Sequence, residues 1–220
     1  MYQSVIFDLD GTLLDTLEDL ADAANWVCTT NGWPTFTLEE YTHMVGNGVP
    51  KLCERFSPES ARNPSDLAGT LAQFSARYTA HKADKTKPYP GIEKMLQLLE
   101  HANIPCAVFS NKTDGMVQDI IHRYFGSTSS PLRVVRGARP GVPHKPAPDG
   151  LLPILQELGA DPATTLYVGD SDVDVQTAKN AGLDSCGVLW GFRGKEELTR
   201  AGATHLAADP DELLHIILGD

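Results

Sequence analysis

The chain is 220 residues long and 41% hydrophobic, which suffices for one large domain or for a core domain carrying an inserted module. Its formal net charge of −11 argues against a nucleic-acid partner, which needs a basic face, and no apolar run is long enough to span a bilayer. An anionic ligand would also be repelled unless a bound divalent cation reversed the field locally.

Met1-Tyr2-Gln3-Ser4 leads directly into the apolar run Val5-Ile6-Phe7, without a basic region or a small-residue cleavage site. A cytoplasmic protein with no secretion signal is therefore expected. The run predicts a first strand over 4–8. From Asp15 to about Pro88 only helical periodicity follows, over 17–29, 38–44, 49–56 and 66–82. Asn31-Gly32-Trp33-Pro34 stops the first of these helices, and 58–64 reads as a loop. Lys87-Pro88-Tyr89-Pro90-Gly91 is a hinge-like return. Strands at 105–110, 133–136, 165–169 and 185–189 then alternate with helices at 91–101, 114–124, 149–158 and 173–181. A short piece near 204–207 and a helix at 210–218 close the chain. This alternation predicts an α/β fold, a parallel sheet covered by helices on both faces, with 15–88 inserted between 1–14 and 89–220. Cys28, Cys53, Cys106 and Cys186 lie far apart and form no C-x-x-C pair, so buried free thiols in a reducing compartment are expected.

Four short runs stand out at predicted strand ends. In Asp8-Leu9-Asp10-Gly11-Thr12-Leu13, alternate residues of an extended end face one side, so Asp8 and Asp10 can serve one centre. A hard cation with oxygen ligands would relieve their repulsion, and Gly11 allows a sharp turn. Read alone, the run is also an ordinary surface turn. Ser110-Asn111-Lys112 follows Ala107-Val108-Phe109; a hydroxyl and free N–H groups there can bind phosphate oxygens, though Ser-Asn is also a common loop pair. In His144-Lys145-Pro146-Ala147-Pro148-Asp149 two prolines hold Lys145 on a stiff approach to a helix, although a lone Lys is ordinarily a solvated charge. His144 reads as a loop residue. Gly169-Asp170-Ser171-Asp172-Val173-Asp174 packs three acids into a short turn, which is costly without a cation unless they only cap the next helix. Asp172 is expected to face solvent or to cap that helix.

In this order and at these strand ends, the four runs resemble the signatures of the haloacid dehalogenase-like hydrolase superfamily: D-x-D-G-T, a strand-end Ser or Thr, K-P and G-D-x-x-x-D. The resemblance spans nearly the whole chain and implies a Rossmann-like core. It also implies that Asp8 is a nucleophile forming an aspartyl-phosphate, that Asp10 is the acid and base, and that Lys145 balances charge on Asp8 and the phosphoryl group. Ser110, Asn111 and Thr12 would contact the phosphoryl group. Mg2+ would sit on Asp8, Asp170 and the backbone carbonyl of Asp10, with Asp174 as a further ligand or an orienting group.

The helical insert resembles a type-1 cap hinged near Asp15–Thr16 and Lys87–Pro90. Its Gly46, Asn47 and Gly48 would offer N–H groups to an anionic substrate tail, with Lys51 one turn on, although a plain helix–helix turn would read the same way. This Gly-Asn-Gly and the run Gly187-Val188-Leu189-Trp190-Gly191-Phe192-Arg193 resemble the phosphoglycolate phosphatase branch. That implies a Mg2+-dependent phosphomonoesterase, monomer or homodimer, acting on 2-phosphoglycolate or a similar small phosphorylated metabolite. Arg193 is expected either to meet a substrate carboxylate or to lie in an exposed loop. A dehalogenase would not need the second acid at Asp10. A sugar-phosphate mutase such as β-phosphoglucomutase would share all four runs. A non-enzymatic binding protein on this fold would be expected to have lost Asp8, Lys145 or Asp170, and none is lost.

Overall fold

The computed structural model describes residues 1–126 and 130–219. After β1 (Ser4–Phe7) the chain forms a two-residue strand β2 (Leu14–Asp15) and four helices, α1 (Leu17–Thr30), α2 (Leu38–Met44), α3 (Val49–Phe56) and α4 (Pro64–His81). It returns through β3 (Lys87–Pro88) to α5 (Ile92–His101), β4 (Cys106–Thr113), α6 (Asp114–Phe125), β5 (Leu132–Ala138) and α7 (Leu152–Leu158). Then follow β6 (Thr165–Gly169), α8 (Asp172–Ala181), β7 (Asp184–Val188), α9 (Lys195–Ala201), β8 (His205–Ala207) and α10 (Pro210–Leu218).

Six strands form one parallel sheet in the order β5-β4-β1-β6-β7-β8, as the alternation predicted. Central strands are apolar on both faces because helices cover both. Val5 and Phe7 of β1 join Val108, Leu166 and Val168 against α5, α6 and α10, while Ile6 joins Ala107, Phe109 and Tyr167 against α7 and α8. In α5 the buried residues Ile92, Met95, Leu96 and Leu99 follow the helical spacing that puts them on one stripe facing the sheet. Each such side chain contributes about 1.5–3 kcal/mol on full burial.

The helices α1 to α4 enclose a separate apolar cluster, with Leu20, Val27, Tyr41, Leu52, Phe56, Phe74 and Tyr78 at its centre. No buried residue is common to this cluster and the sheet clusters; Met116 of α6 packs against both sides. A capping box, Thr37 with Glu40, starts α2, and the Asn63 side chain caps α4. Among the described residues no helix is long and apolar enough to cross a membrane. All four cysteines are buried and free.

Three features differ from the sequence reading. β2 and β3 form a short antiparallel ribbon, Leu14 opposite Pro88 and Asp15 opposite Lys87, where hinges were expected. α9 was not foreseen; its seven residues are mostly polar and show little apolar period. The expected helix over 149–158 begins only at Leu152, because 145–151 are spent on turns that deliver Lys145.

Candidate active site

β1 is where the strand order changes side: β4 and β5 lie on one flank, and β6, β7 and β8 on the other. Connections leave on opposite faces there, opening a crevice beyond the carboxyl ends of the strands. Asp8 directly follows β1, and its N–H still donates to the Val168 carbonyl at 2.8 Å, which ties its backbone to β6. Asp170 directly follows β6. Gly11, at φ +82°, lets the Asp8 loop press against Asp170; a Cβ there would stand 2.2 Å from Asp170 Oδ2.

The register of β4 against β5 shifts between Phe109 and Thr113, so Ser110-Asn111-Lys112 leave the regular ladder. All three are buried, with exposures of 2%, 6% and 4%. Asn111 acts as a bridge. Its Oδ1 accepts from Lys145 N–H at 2.8 Å, and its Nδ2 donates to the carbonyls of Lys145 (3.3 Å) and Gly46 (3.1 Å). The strand end thus holds the Lys145 backbone and reaches the 45–48 loop of the helical insert.

Lys145 Nζ lies 2.9 Å from Asp8 Oδ1, 2.7 Å from Asp174 Oδ1 and 3.2 Å from the Tyr167 hydroxyl. Burial opposes its charge, but Asp174 and Asp8 outweigh burial and hold the ammonium well above the usual lysine range. Asp8 tells the complementary story. Burial pushes its carboxyl up, Lys145 pulls it down, and Asp174 and Asp10 add to the upward push, leaving it at about 7. Asp170 is pushed well above the carboxylate range, first by burial, then by Asp174 and Asp8. The Phe192 N–H, donating to Asp170 Oδ2 at 2.7 Å, works the other way.

Asp8, Asp170 and Asp174 each offer a carboxylate oxygen within 4.8 Å of the others, and all three are buried. Lys145 alone cannot neutralise three such charges. Hard oxygen donors at this density fit a divalent cation such as Mg2+. They are not equally available. Asp174 Oδ1 is taken by Lys145, and its Oδ2 accepts from the Ser171 hydroxyl (2.6 Å) and N–H (3.1 Å) in a capping box at the start of α8. Among the described residues no side-chain or backbone donor engages Asp8 Oδ2 or Asp170 Oδ1. Both oxygens of Asp174 are therefore engaged within the chain.

Asp10 faces the site from the other side. Its Oδ1 accepts from Thr16 Oγ1 at 2.6 Å and pairs with Lys112 Nζ at 3.0 Å. Between the sheet and the helical insert a cavity of about 30 Å³ is lined by Asp8, Asp10, Ser110, Asn111 and Lys112 below, and by Leu20, Val45, Gly46, Gly48, Val49 and Leu52 above. Of the Gly-Asn-Gly run, Gly46 and Gly48 line this cavity and Asn47 does not. Its Oδ1 accepts from Arg55 Nη2 at 2.7 Å, while Arg55 Nη1 donates to the Met44 carbonyl, so Asn47 helps to shape the loop. Thr12 is buried with its hydroxyl unpartnered, and its carbonyl accepts from Trp190 Nε1 at 2.9 Å. Arg193 is buried; its Nη2 donates to the Val45 carbonyl at 3.0 Å and its Nε pairs with Glu197. Lys51 pairs with Glu54 in solvent, and Asp172 is exposed as expected.

Sequence reasoning gave no role in the site to Lys112, Tyr78, Tyr167 or Ser171, and it read Thr16 only as part of a hinge. Lys112 carried one signal, a cation directly after Ser110-Asn111 at a strand end. Tyr78 carried none, because its partner lies 34 residues away.

Comparison with known proteins agrees with this geometry. A profile of the family "Haloacid dehalogenase-like hydrolase" matches residues 5–188. A phosphoglycolate phosphatase of Xylella fastidiosa (strain Temecula1) is 32% identical over 216 residues, covering 95% of this chain and 93% of that protein. A phosphoglycolate phosphatase of Psychrobacter arcticus is 31% identical, with 98% and 96% covered. Among solved structures, a Lactobacillus delbrueckii subsp. bulgaricus protein provisionally assigned as a phosphoglycolate phosphatase superposes with a TM-score of 0.93 at 31% identity, covering 100% and 99%. CbbY of Rhodobacter sphaeroides, solved in complex with phosphate, gives 0.81 at 26% identity, covering 97% and 96%. With the acids, the lysine and the strand-end serine converging on one crevice, the chain belongs to the haloacid dehalogenase-like hydrolases.

Proposed function

We propose that the protein is a Mg2+-dependent phosphatase that hydrolyses small phosphomonoesters, 2-phosphoglycolate or a close analogue among them, through a phosphoryl group carried on Asp8. One observation carries this reading. Asp8 is buried with one oxygen on Lys145 and the other unengaged, Asp170 stands beside it, and Asp10 faces the same cavity. The substrate class rests on the relatives named phosphoglycolate phosphatase.

Asp8, Asp170 and the Asp10 carbonyl would hold Mg2+, which would supply positive charge for the phosphoryl oxygens. The chain does the rest. The Asp8 carboxylate attacks phosphorus in line and the ester oxygen leaves, taking a proton from Asp10. Asp10 then removes a proton from the water that cleaves the acyl phosphate and regenerates Asp8. Lys145 stabilises the Asp8 carboxylate and the transferring group; the Ser110 hydroxyl and nearby N–H groups hold the equatorial oxygens. Asn111 positions Lys145, and Asp174 orients it. Residues 15–88 act as a cap over a core made of 1–14 and 89–220, and the apolar roof Leu20, Val45, Val49 and Leu52 keeps water out of the reacting centre. Four free thiols suit a reducing cytoplasm.

The test is phosphate release from 2-phosphoglycolate and a panel of small phosphomonoesters, with Mg2+ and with EDTA. Release that depends on Mg2+ and vanishes in Asp8→Asn is the expected result. Equal rates in EDTA would overturn the metal assignment, and an active Asp8→Asn would overturn the nucleophile.

A further inference from the structure

We infer that Lys112 is a positioning residue for the acid–base carboxylate of Asp10, and that Tyr78 of the helical insert holds Lys112 in place. The inference rests on the phosphatase reading above and adds to it two residues that touch no reacting atom.

Lys112 is 4% exposed, and a buried ammonium is costly unless it is paired and hydrogen-bonded. Two neighbouring side chains account for it. Nζ lies 3.0 Å from Asp10 Oδ1, donates to the Tyr78 hydroxyl at 3.0 Å, and sits 4.7 Å from the centre of the Tyr78 ring. Asp10 Oδ1 also accepts from Thr16 Oγ1. One oxygen of Asp10 is therefore pinned by two donors, which leaves Oδ2 as the oxygen free to hold and release the proton in the cavity that Asp10 lines. Tyr78 comes from α4 and is fully buried, so the setting of Asp10 depends on the helical insert being seated.

Lys112 makes and breaks no bond in this scheme. In the first step the Asp8–phosphorus bond forms, the phosphorus–ester oxygen bond breaks, and the proton on Asp10 Oδ2 passes to the leaving oxygen. An alkoxide needs that proton, whereas p-nitrophenolate departs without it. In the second step a water oxygen bonds phosphorus, the Asp8–phosphorus bond breaks, and the water proton returns to Asp10 Oδ2. A misplaced Asp10 should therefore slow the first step only for alkyl esters and slow the second step for every ester.

The experiment is single-turnover and burst kinetics of Lys112→Met and Tyr78→Phe with 2-phosphoglycolate and with p-nitrophenyl phosphate, alongside inhibition by inorganic phosphate. General acid–base catalysis is worth about 10²–10⁴-fold, so Lys112→Met should slow alkyl ester cleavage by about 10–100-fold. It should leave the first step on p-nitrophenyl phosphate near the wild-type rate, with a burst of about one p-nitrophenol per site before slow turnover, and phosphate inhibition should change by less than about 3-fold. Tyr78→Phe keeps the ring and should show the same pattern more weakly. It decides the matter if Lys112→Met does not fold. Equal slowing of both esters with weakened phosphate inhibition would make Lys112 a direct phosphate contact and overturn the inference. So would a Tyr78→Phe variant indistinguishable from wild type on both esters. Wild-type protein that cleaves neither ester would overturn the phosphatase reading and this inference with it.

Discussion

Asp8→Asn keeps the shape of the side chain and removes its charge, and it should make the metal-free protein more stable while abolishing activity. Asp8 is buried, and its carboxyl sits at about 7 against an ordinary 3.8 because burial, aided by Asp174 and Asp10, outweighs Lys145. A group whose folded value lies above its unfolded value contributes stability at low pH that is lost as pH rises through the folded value. Metal-free protein above pH 7 therefore carries a charged Asp8 at a cost of up to about 4 kcal/mol, from the gap between 3.8 and about 7. Asparagine escapes that cost, and its amide oxygen can still accept from Lys145. Desolvating the amide takes back part of the gain, leaving about 2–3 kcal/mol, or a rise in Tm of about 4–12 °C. Thermal denaturation in EDTA at pH 8 is the assay, and the difference should shrink as the pH falls toward 4. Mg2+ at about 100 times its Kd should add about 2.7 kcal/mol to the wild type and little to the variant, closing the gap between them. If Asp8→Asn were no more stable than wild type in EDTA at pH 8, pairing with Lys145 would be compensating Asp8 fully, and the account of the site as charge-strained without a cation would fail.

Lys145→Met has the opposite sign. It leaves Asp8, Asp170 and Asp174 buried without their cation, and metal-free protein at pH 8 should lose about 3–5 kcal/mol, read as a lower Tm that recovers as acid protonates the carboxyls. Gly11→Ala places a Cβ against Asp170 Oδ2 at a backbone angle that L residues avoid. It should abolish turnover and the Mg2+-dependent rise in Tm together, and a variant that keeps either would show that the Asp8 loop can retreat. Burial pushes the thiols of Cys28 up to about 11 and of Cys53 and Cys186 up to about 12. Folded protein at pH 8 should therefore resist a thiol-exchange dye, while denatured protein releases four equivalents; fast native labelling of any one would contradict its burial.

Much of the architecture is legible in local pattern. Val5-Ile6-Phe7 and Leu166-Tyr167-Val168 are apolar without alternation, which marks strands covered on both faces, and both sit at the centre of the sheet. The expected strand over 105–110 stops where regular pairing with β5 breaks, yet β4 runs on to Thr113, and the irregular stretch is the part that builds the site. The ribbon of β2 and β3 has two residues per strand and exists only through pairing between segments far apart in the chain, so no window of sequence could reveal it.

The order of the main strands and helices, and the acids, lysine and serine of the four short runs, are legible in the chain alone, because periodicity and short-range spacing are local properties. How those groups pair was settled only by packing. Lys145 meets Asp174 across 29 residues, Lys112 meets Tyr78 across 34, and Asn111 reaches Gly46 across 65. Those contacts tie Asp174 to Lys145, Lys112 to Tyr78 and Asn111 to the 45–48 loop, while Asn47 lies outside the cavity. The physical reason is that pairing and charge are settled by burial, and burial exists only once segments remote in sequence have packed together.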